Sequence, residues 1–276
     1  MTVPRIVVKW GGSLQENGGA IADDIAALWR EHRIVVVHGG SRDIDETVAE
    51  LGLPRRTLTS PDGMVTRYTD APTLSALMMA MRGRTQPRIV SELAARGVTA
   101  VGLSGMDGGL VRTERKAAVR AVFGESVRVV RDNLAGRIVG VDTRVLDALH
   151  ACGMLPVVCP PGMTSGGQPT NVDADRMACA IAAAWRADRL LLFTDTPGVL
   201  ADREDPGSTI ASLSREDARS LLPELSGGMR MKVAAAVEAL GGGAQAVQVC
   251  DGRVHAPVAA ALRGSGTLIG KAVTAQ

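Results

Sequence analysis

The chain has 276 residues, 46% hydrophobic and 22% charged, a balance that excludes a disordered or fibrous chain and suits one large α/β domain or two closely joined lobes. Its 31 basic and 29 acidic residues leave a net charge of +2 and aromatics make up 2%, so there is neither a basic field nor a stacking surface to recruit nucleic acid. No apolar run approaches the ~20 residues that span a bilayer, no signal-peptide pattern precedes the first strand, and the four cysteines lack CxxC or zinc-site spacing. The expectation is a soluble cytoplasmic protein with reduced, mostly buried thiols, acting on neither nucleic acid nor membrane, with no dedicated metal site.

The first predicted strand, RIVVKW, brings Lys9 to the end of a hydrophobic run that opens at once into Gly11 and Gly12. Glycines let the backbone approach a ligand closely, and a lysine beside them offers charge to an anion; the alternative is a strand end with a solvated lysine. A helical segment, AIADDIAALWREH, leads to the second strand, RIVVVHGG, whose Gly39 and Gly40 precede the helical DIDETVAEL. Free N–H groups at such a strand-to-helix turn bind anions, and two glycine loops after consecutive strands define an anion-holding crevice. His38 reads either as a general base or, more in keeping with a strand end, as a packed or backbone-bonded histidine.

Helical patterns follow at TLSALMMAMRG and RIVSELAARG, then the strand TAVGLSG. Residues 111–131 (VRTERKAAVRAVFGESVRVVR) alternate apolar and charged positions around Gly-Glu-Ser, which predicts an antiparallel hairpin carrying Arg112, Arg115, Lys116, Arg120 and Arg128. That basic face is either solvated or a landing surface for an acidic partner. After the helical TRVLDALHACG and the strand LPVVCPP, residues 162–170 (GMTSGGQPT) read as a small-residue loop and a hinge between lobes.

Asn171, Asp173 and Asp175 then stand ahead of the apolar helix DADRMACAIAAAWRAD. Capping explains one of the three, which leaves at least one to face a site. The strand RLLLF ends in TDTPGVL, an acid and a turn, and SGGMRMKVAAAVEAL places Lys232 one turn inside a helix that begins at Gly-Gly. A lysine there opposes the helix dipole unless an anion joins it, or else it is a surface lysine. The strand AQAVQVCDG follows.

Continuous hydrophobic strands alternating with helices specify an α/β chain, a three-layer αβα sandwich with a mainly parallel central sheet and its strand C-termini on one ligand-binding edge. The motifs of P-loop NTPases, protein kinases, dinucleotide-binding Rossmann proteins and nucleophile-elbow hydrolases are all absent from the sequence.

In this order and at these spacings, VVKWGGSL, VHGGS, RYTD, the asparagine and aspartate of PTNVDAD, FTDTPGVL and GGMRMK resemble the amino-acid kinase family over essentially the whole chain. Within it the chain looks like the N-acetylglutamate kinase branch. VHGGS in place of VHGGG, LTSPDGMVTRYTD, GLSGMDGGL and CDGRVHAPVAAAL bring it nearest to the kinases that phosphorylate 2-aminoadipate held on an amino-group carrier protein.

The resemblance implies a single domain, residues 1–276. An N-lobe (1–165) would bind the acceptor and dimerise, and a C-lobe (166–276) would bind ATP. It assigns catalysis to Lys9, Lys232 and the Asp175 that holds them. Gly39, Gly40, Ser41, Arg67 and Asn171 would bind the acceptor, with Arg67 and Asn171 on its α-carboxylate and capped amine. Gly11, Gly12, Asp195, Thr196, Pro197, Gly198, Val199 and Leu200 would bind the nucleotide.

Magnesium would arrive with ATP, and Arg112, Arg115, Lys116 and Arg120 would meet an acidic carrier protein. The lack of the N-terminal helical extension of arginine-inhibited hexamers implies a homodimer. Acetylglutamate phosphorylation, or a catalytically silent nucleotide or amino-acid sensor, are the other outcomes the resemblance allows.

Overall fold

The computed structural model describes residues 3–11, 18–61, 63–124 and 126–270. It begins with β1 (Arg5–Trp10), α1 (Gly18–Leu28), β2 (Arg33–His38) and α2 (Ser41–Glu50), followed by the short β3 (Thr57–Thr59) and β4 (Val65–Arg67). Helix α3 (Ala71–Ala80) runs through a π-helical turn, Met81–Thr85, into α4 (Gln86–Ala94), and β5 (Ala100–Ser104) comes next. Four strands follow, β6 (Val111–Arg115), β7 (Val119–Phe123), β8 (Ser126–Val130) and β9 (Gly136–Val141). Then come α5 (Arg144–Ala151), β10 (Leu155–Cys159), β11 (Gly162–Thr164), β12 (Pro169–Thr170) and α6 (Ala174–Ala184). The remainder is β13 (Arg189–Thr194), β14 (Ser212–Leu213), α7 (Arg215–Leu221), α8 (Gly227–Gly241), β15 (Ala246–Asp251), α9 (Pro257–Leu262) and β16 (Thr267–Gly270).

Eight strands form the central sheet in the order β14-β16-β15-β13-β1-β2-β10-β5, and every neighbouring pair is parallel except β15 with β16. All six strands expected from apolar runs lie in it. Successive side chains of a strand point to opposite faces, so the runs supply two cores at once. Val7, Val35, Leu190, Leu192 and Val247 pack on one face with Met177 and Ile181 of α6 and Val233 of α8. Ile6, Val8, Ile34, Val36 and Leu191 pack on the other with Ile21 and Ile25 of α1, Ile89 of α4 and Val258 of α9. The result is the expected αβα sandwich. Asp24 of α1 accepts from the N–H groups of Val258 (2.6 Å) and Ala259 (2.9 Å), which caps α9 and ties the end of the described chain to its beginning.

Two expectations are corrected. Residues 111–131 are not one hairpin: only β7 and β8 pair with each other, around Gly124, whereas β6 runs antiparallel to β9 and parallel to β11 in a separate four-stranded sheet. Alternation specifies a half-buried strand but not its partner, and β6 buries Val111 and Thr113 against the other sheet. Residues 162–170 are not an open loop, because Gly162 and Met163 of β11 pair antiparallel with Thr170 and Pro169 of β12. Among the described residues no helix is long and apolar enough to cross a membrane.

Candidate active site

Lys9 sits in the middle of the sheet, in register with Val37 of β2 on one side and Leu192 of β13 on the other. Asp175 lies in the first turn of α6. The N-cap of that helix is Asp173, whose Oδ1 accepts from Arg176 N–H at 3.0 Å, so Asp175 is free for another task. Its Oδ1 lies 2.8 Å from Lys9 Nζ and its Oδ2 accepts from Lys232 Nζ of α8 at 2.7 Å. The three side chains are only 10%, 11% and 14% exposed for Lys9, Asp175 and Lys232. Burial pushes the Asp175 carboxyl upward, but the two ammonium groups outweigh it and hold the group well below the usual carboxylate range. Two cations on one anion leave a net positive charge at the floor of a cleft of about 930 Å³.

Both ends of that cleft present helix N-termini without side-chain caps. On one side Gly39 and Gly40 lead into α2, whose N-cap is Gly40. A Cβ on Gly40 would stand 2.8 Å from Thr85 Oγ1 and 3.1 Å from Met81 Cγ, so the loop is pressed against the π-helical turn and only glycine fits. On the other side Gly227 and Gly228 open α8 behind Ser226, whose side chain caps nothing and instead accepts from Arg203 at 3.3 Å. Unclaimed N–H groups at a helix start hold anions.

The other expected acceptor residues also line the cleft, with partners already in place. Arg67 Nη2 donates to Asp45 at 2.6 Å, and Asp45 lies 3.2 Å from Arg55 as well. Asn171 Nδ2 donates to Thr69 Oγ1 at 3.1 Å, while its backbone bridges Leu134 and Gly136. Ser41 borders the cleft beside Gly40.

Among the expected nucleotide residues, Gly11, Asp195, Thr196, Gly198 and Leu200 line the cleft. Val199 does not: it is 0% exposed, packs in the core and donates its N–H to Thr267 Oγ1 at 2.8 Å. Pro197 shapes the turn without reaching the cleft wall. Gly12 lies outside the described residues.

The basic residues expected on one hairpin are divided. Arg120 is exposed on β7, Arg112 lies on β6 beside Gly140, and Arg115 donates to the carbonyls of Arg131 (2.5 Å) and Asn133 (3.4 Å). Lys116 instead lines the cleft. Arg203, Ser226 and the β4 residues Val65 and Thr66 on the cleft wall, and Asp45 as the partner of Arg67, were not foreseen. Asp45 carried a weak signal, because DID puts two acids near the start of an amphipathic helix whose cap is the glycine Gly40.

His38 takes the structural role. Its ring is 0% exposed, does not border the cleft, and donates Nδ1–H to Gly39 O at 2.7 Å. Burial lowers its pKa from 6.5 to about 4 against the pull of that carbonyl, with Lys9 and Arg82 adding to the depression and Asp43 opposing it. Between those two values the unfolded chain binds the proton and the folded chain does not. Stability is therefore full above 6.5 and lost as pH falls toward 4, by on the order of 3 kcal/mol. Denaturation midpoints measured from pH 7 to pH 4 should fall steeply for the wild type and less steeply for His38→Gln; parallel profiles would sink the assignment.

A glycine-lined cleft at the carboxyl edge of a parallel sheet, floored by a lysine–aspartate–lysine trio, offers fixed positive charge and unclaimed helix N–H groups to an anionic ligand. A family model described as the amino acid kinase family matches residues 4–251, and the chain belongs to that family. It is 38% identical to the [LysW]-aminoadipate kinase of Deinococcus radiodurans over 97% of this chain and 92% of the relative. It is also 38% identical to the acetylglutamate kinase of Symbiobacterium thermophilum over 90% of this chain and 84% of that one. Among solved structures, the N-acetylglutamate synthase of Neisseria gonorrhoeae, complexed with coenzyme A and N-acetyl-glutamate, shares the fold with a TM-score of 0.79 at 24% identity, over 98% of this chain and 60% of that longer one.

Proposed function

We propose that the chain transfers the γ-phosphoryl group of ATP to the side-chain carboxylate of an amine-capped acidic amino acid, 2-aminoadipate or glutamate attached to an amino-group carrier protein. It is an ATP-dependent carboxyl kinase. The observation that carries the reading is the Lys9–Asp175–Lys232 trio lying between two uncapped helix N-termini in one cleft. That arrangement provides an anion site on either side of a fixed positive charge. The names of relatives at 38% identity supply the substrate class.

A carboxylate oxygen of the acceptor attacks phosphorus, a new O–P bond forms, the bond to the β-phosphate oxygen breaks, and ADP leaves. The nucleophile is already ionised at neutral pH, so no proton moves and no base is needed, in keeping with a sheltered His38. Lys9 and Lys232 offset the charge spread over the transferring oxygens, and Asp175 keeps both lysines in position. Among the described residues no group of three His, Cys, Asp or Glu could hold a metal by itself. Magnesium would arrive with ATP and neutralise phosphate charge, held mainly by the nucleotide and water, and Asp195 on the cleft wall could contribute to holding it.

In this reading the first 165 residues bind the acceptor and form a homodimer, the remainder binds ATP, and the enzyme works in the cytoplasm. Arg112, Arg115 and Arg120 on the acceptor side draw in an acidic carrier. Phosphorylation of free N-acetylglutamate is the second reading, because a relative of that name is equally identical.

A hydroxylamine trap for acyl phosphate, run with ATP and magnesium, decides between them. Hydroxamate should accumulate at least about ten-fold faster, in kcat/KM, with carrier-linked 2-aminoadipate or glutamate than with N-acetylglutamate. Equal or faster turnover of N-acetylglutamate would establish the second reading. Silence with every acceptor, alongside intact nucleotide binding, would leave a sensor.

A further inference from the structure

Asp43 is the third residue of α2 after the N-cap Gly40, a position from which an acidic side chain commonly folds back onto the start of its own helix. A carboxylate placed there would cover the N–H groups into which Gly39 and Gly40 lead, and would repel a phosphate. In this chain it is drawn elsewhere. Asp43 is 3% exposed, its Oδ2 accepts from Thr85 Oγ1 at 2.5 Å and its Oδ1 accepts from Arg88 Nη2 at 3.1 Å. Burial raises its pKa, but the hydrogen bonds from Thr85 and Arg88, with the charges of Arg88 and Arg84, outweigh that and lower it overall.

The hydroxyl that holds Asp43 comes from the π-helical turn between α3 and α4. Such a turn carries one residue more than an α-helical one and often marks a functional site. Here the backbone N–H of Gln86 reaches back to Met81 O, and the consecutive residues Thr85 and Gln86 are both buried. Gln86 Nε2 donates to Leu103 O at 2.8 Å and to Val157 O at 2.9 Å, which fixes the turn to β5 and β10 of the central sheet. Thr85 faces α2. Its Oγ1 serves the acid and backs the loop as well, since a Cβ on Gly40 would lie 2.8 Å from it. Thr85 itself does not border the cleft.

We propose that Thr85 is a positioning residue for phosphoryl transfer. Through one hydroxyl, referenced to the central sheet by Gln86, it holds the Asp43 carboxylate off the start of α2 and leaves those N–H groups to the transferring phosphoryl group. The proposal rests on the reading of the chain as a carboxyl kinase, and it gives the extra residue of the π-helical turn a task.

The test is steady-state hydroxamate formation with the acceptor that the wild type phosphorylates fastest. It compares the wild type, Thr85→Val, Thr85→Ala, Thr85→Ser and the double variant Thr85→Val/Asp43→Asn, each checked by its melting curve and by ADP binding. Thr85→Val and Thr85→Ala should both lower kcat by roughly ten- to hundred-fold, the range for a reacting group misplaced by about 1 Å, with KM for ATP nearly unchanged. Thr85→Ser keeps the hydroxyl and should stay within about three-fold of the wild type. In the double variant the charge at residue 43 is gone and nothing competes with phosphate, so most of the lost kcat should return although a second buried group has been changed.

A double variant no faster than Thr85→Val would overturn the proposal, because a merely structural hydroxyl predicts added damage. Wild-type kcat in Thr85→Val or Thr85→Ala would overturn it too, as would loss of the fold in both while Thr85→Ser stays folded; either leaves Thr85 a support of stability alone. A wild type that binds ADP yet phosphorylates no carboxylate, free or carrier-linked, would overturn the reaction itself and the proposal with it. That failure is distinct because the others leave wild-type turnover intact.

Discussion

Asp175→Asn should lower kcat by a factor of about 10²–10³, the range seen when one fixed charge or donor is removed from a transition state, while KM for ATP changes far less. The amide keeps the shape of the carboxylate but not its charge. Lys9 and Lys232, each within 2.8 Å of it, then repel one another with nothing between them, and both long side chains can turn outward. Lys232→Met should cost a similar factor for a different reason, since it removes a positive charge where negative charge develops.

The three groups act as one device, so the losses should not multiply. The double variant Asp175→Asn/Lys232→Met should be little slower than the worse single variant. Rapid-quench measurement of acyl phosphate at saturating ATP checks this. A fully multiplicative double variant would show that Asp175 does something other than hold the lysines.

The second large effect is on stability. Trp185 closes the far end of α6, is 1% exposed, and is among the largest fully buried side chains. Its Nε1 donates to Asp147 at 3.0 Å, Arg5 lies over its ring at 5.3 Å from the centroid, and the His150 ring packs at 5.2 Å. Trp185→Ala would remove these contacts and open a cavity between α6 and α5, at a cost of about 3–5 kcal/mol. In a chain of this size that corresponds to a fall in Tm of roughly 10 °C. Asp175 stands almost the whole helix away, about 15 Å along its axis, so kcat at 25 °C should stay near wild type while the melting curve shifts. Calorimetry paired with a room-temperature assay separates the two. An unchanged Tm would mean that the packing collapses around the gap without loss.

Much of this architecture can be read from the chain because its signals are local and mutually consistent. The six buried strands announce themselves as apolar runs, and helices such as α6 and α8 as long periodic segments with small residues at their starts. Lys9, Asp175 and Lys232 were legible for the same reason: each is a charged residue where a regular element begins or ends, a position that simple solvation or capping did not exhaust. What could not be read depended on contacts distant in sequence. β6 has the same alternation as β7, and nothing in Val-Arg-Thr-Glu-Arg says that its partners are 136–141 and 162–164.

The short β14 and β16 carry too few residues for a periodic signal; β14 pairs with β16, and β16 with β15. Val199 sits in a motif otherwise turned to the cleft, but one residue of an irregular turn must face inward, and only Thr267, 68 positions away, reveals which. The pairing of Arg67 with Asp45 is likewise tertiary, and it changes what that arginine can offer a ligand.

The register of β1 has a consequence for how such an enzyme can diversify. Because Lys9 is level with both Val37 and Leu192, the loop at Gly39 and the turn at Asp195 start at nearly the same height on either side of one strand. The strand works as a ruler, setting the separation between the loop proposed for the acceptor and the turn proposed for the nucleotide by backbone pairing, independently of what either holds. The wall proposed for the acceptor, lined by Val65, Thr66 and Arg67 of β4 and by Gly136 of β9 in the four-stranded sheet, lies off this ruler. It can be recarved for a longer, shorter or tethered acceptor while the spacing at which phosphorus changes hands stays the same.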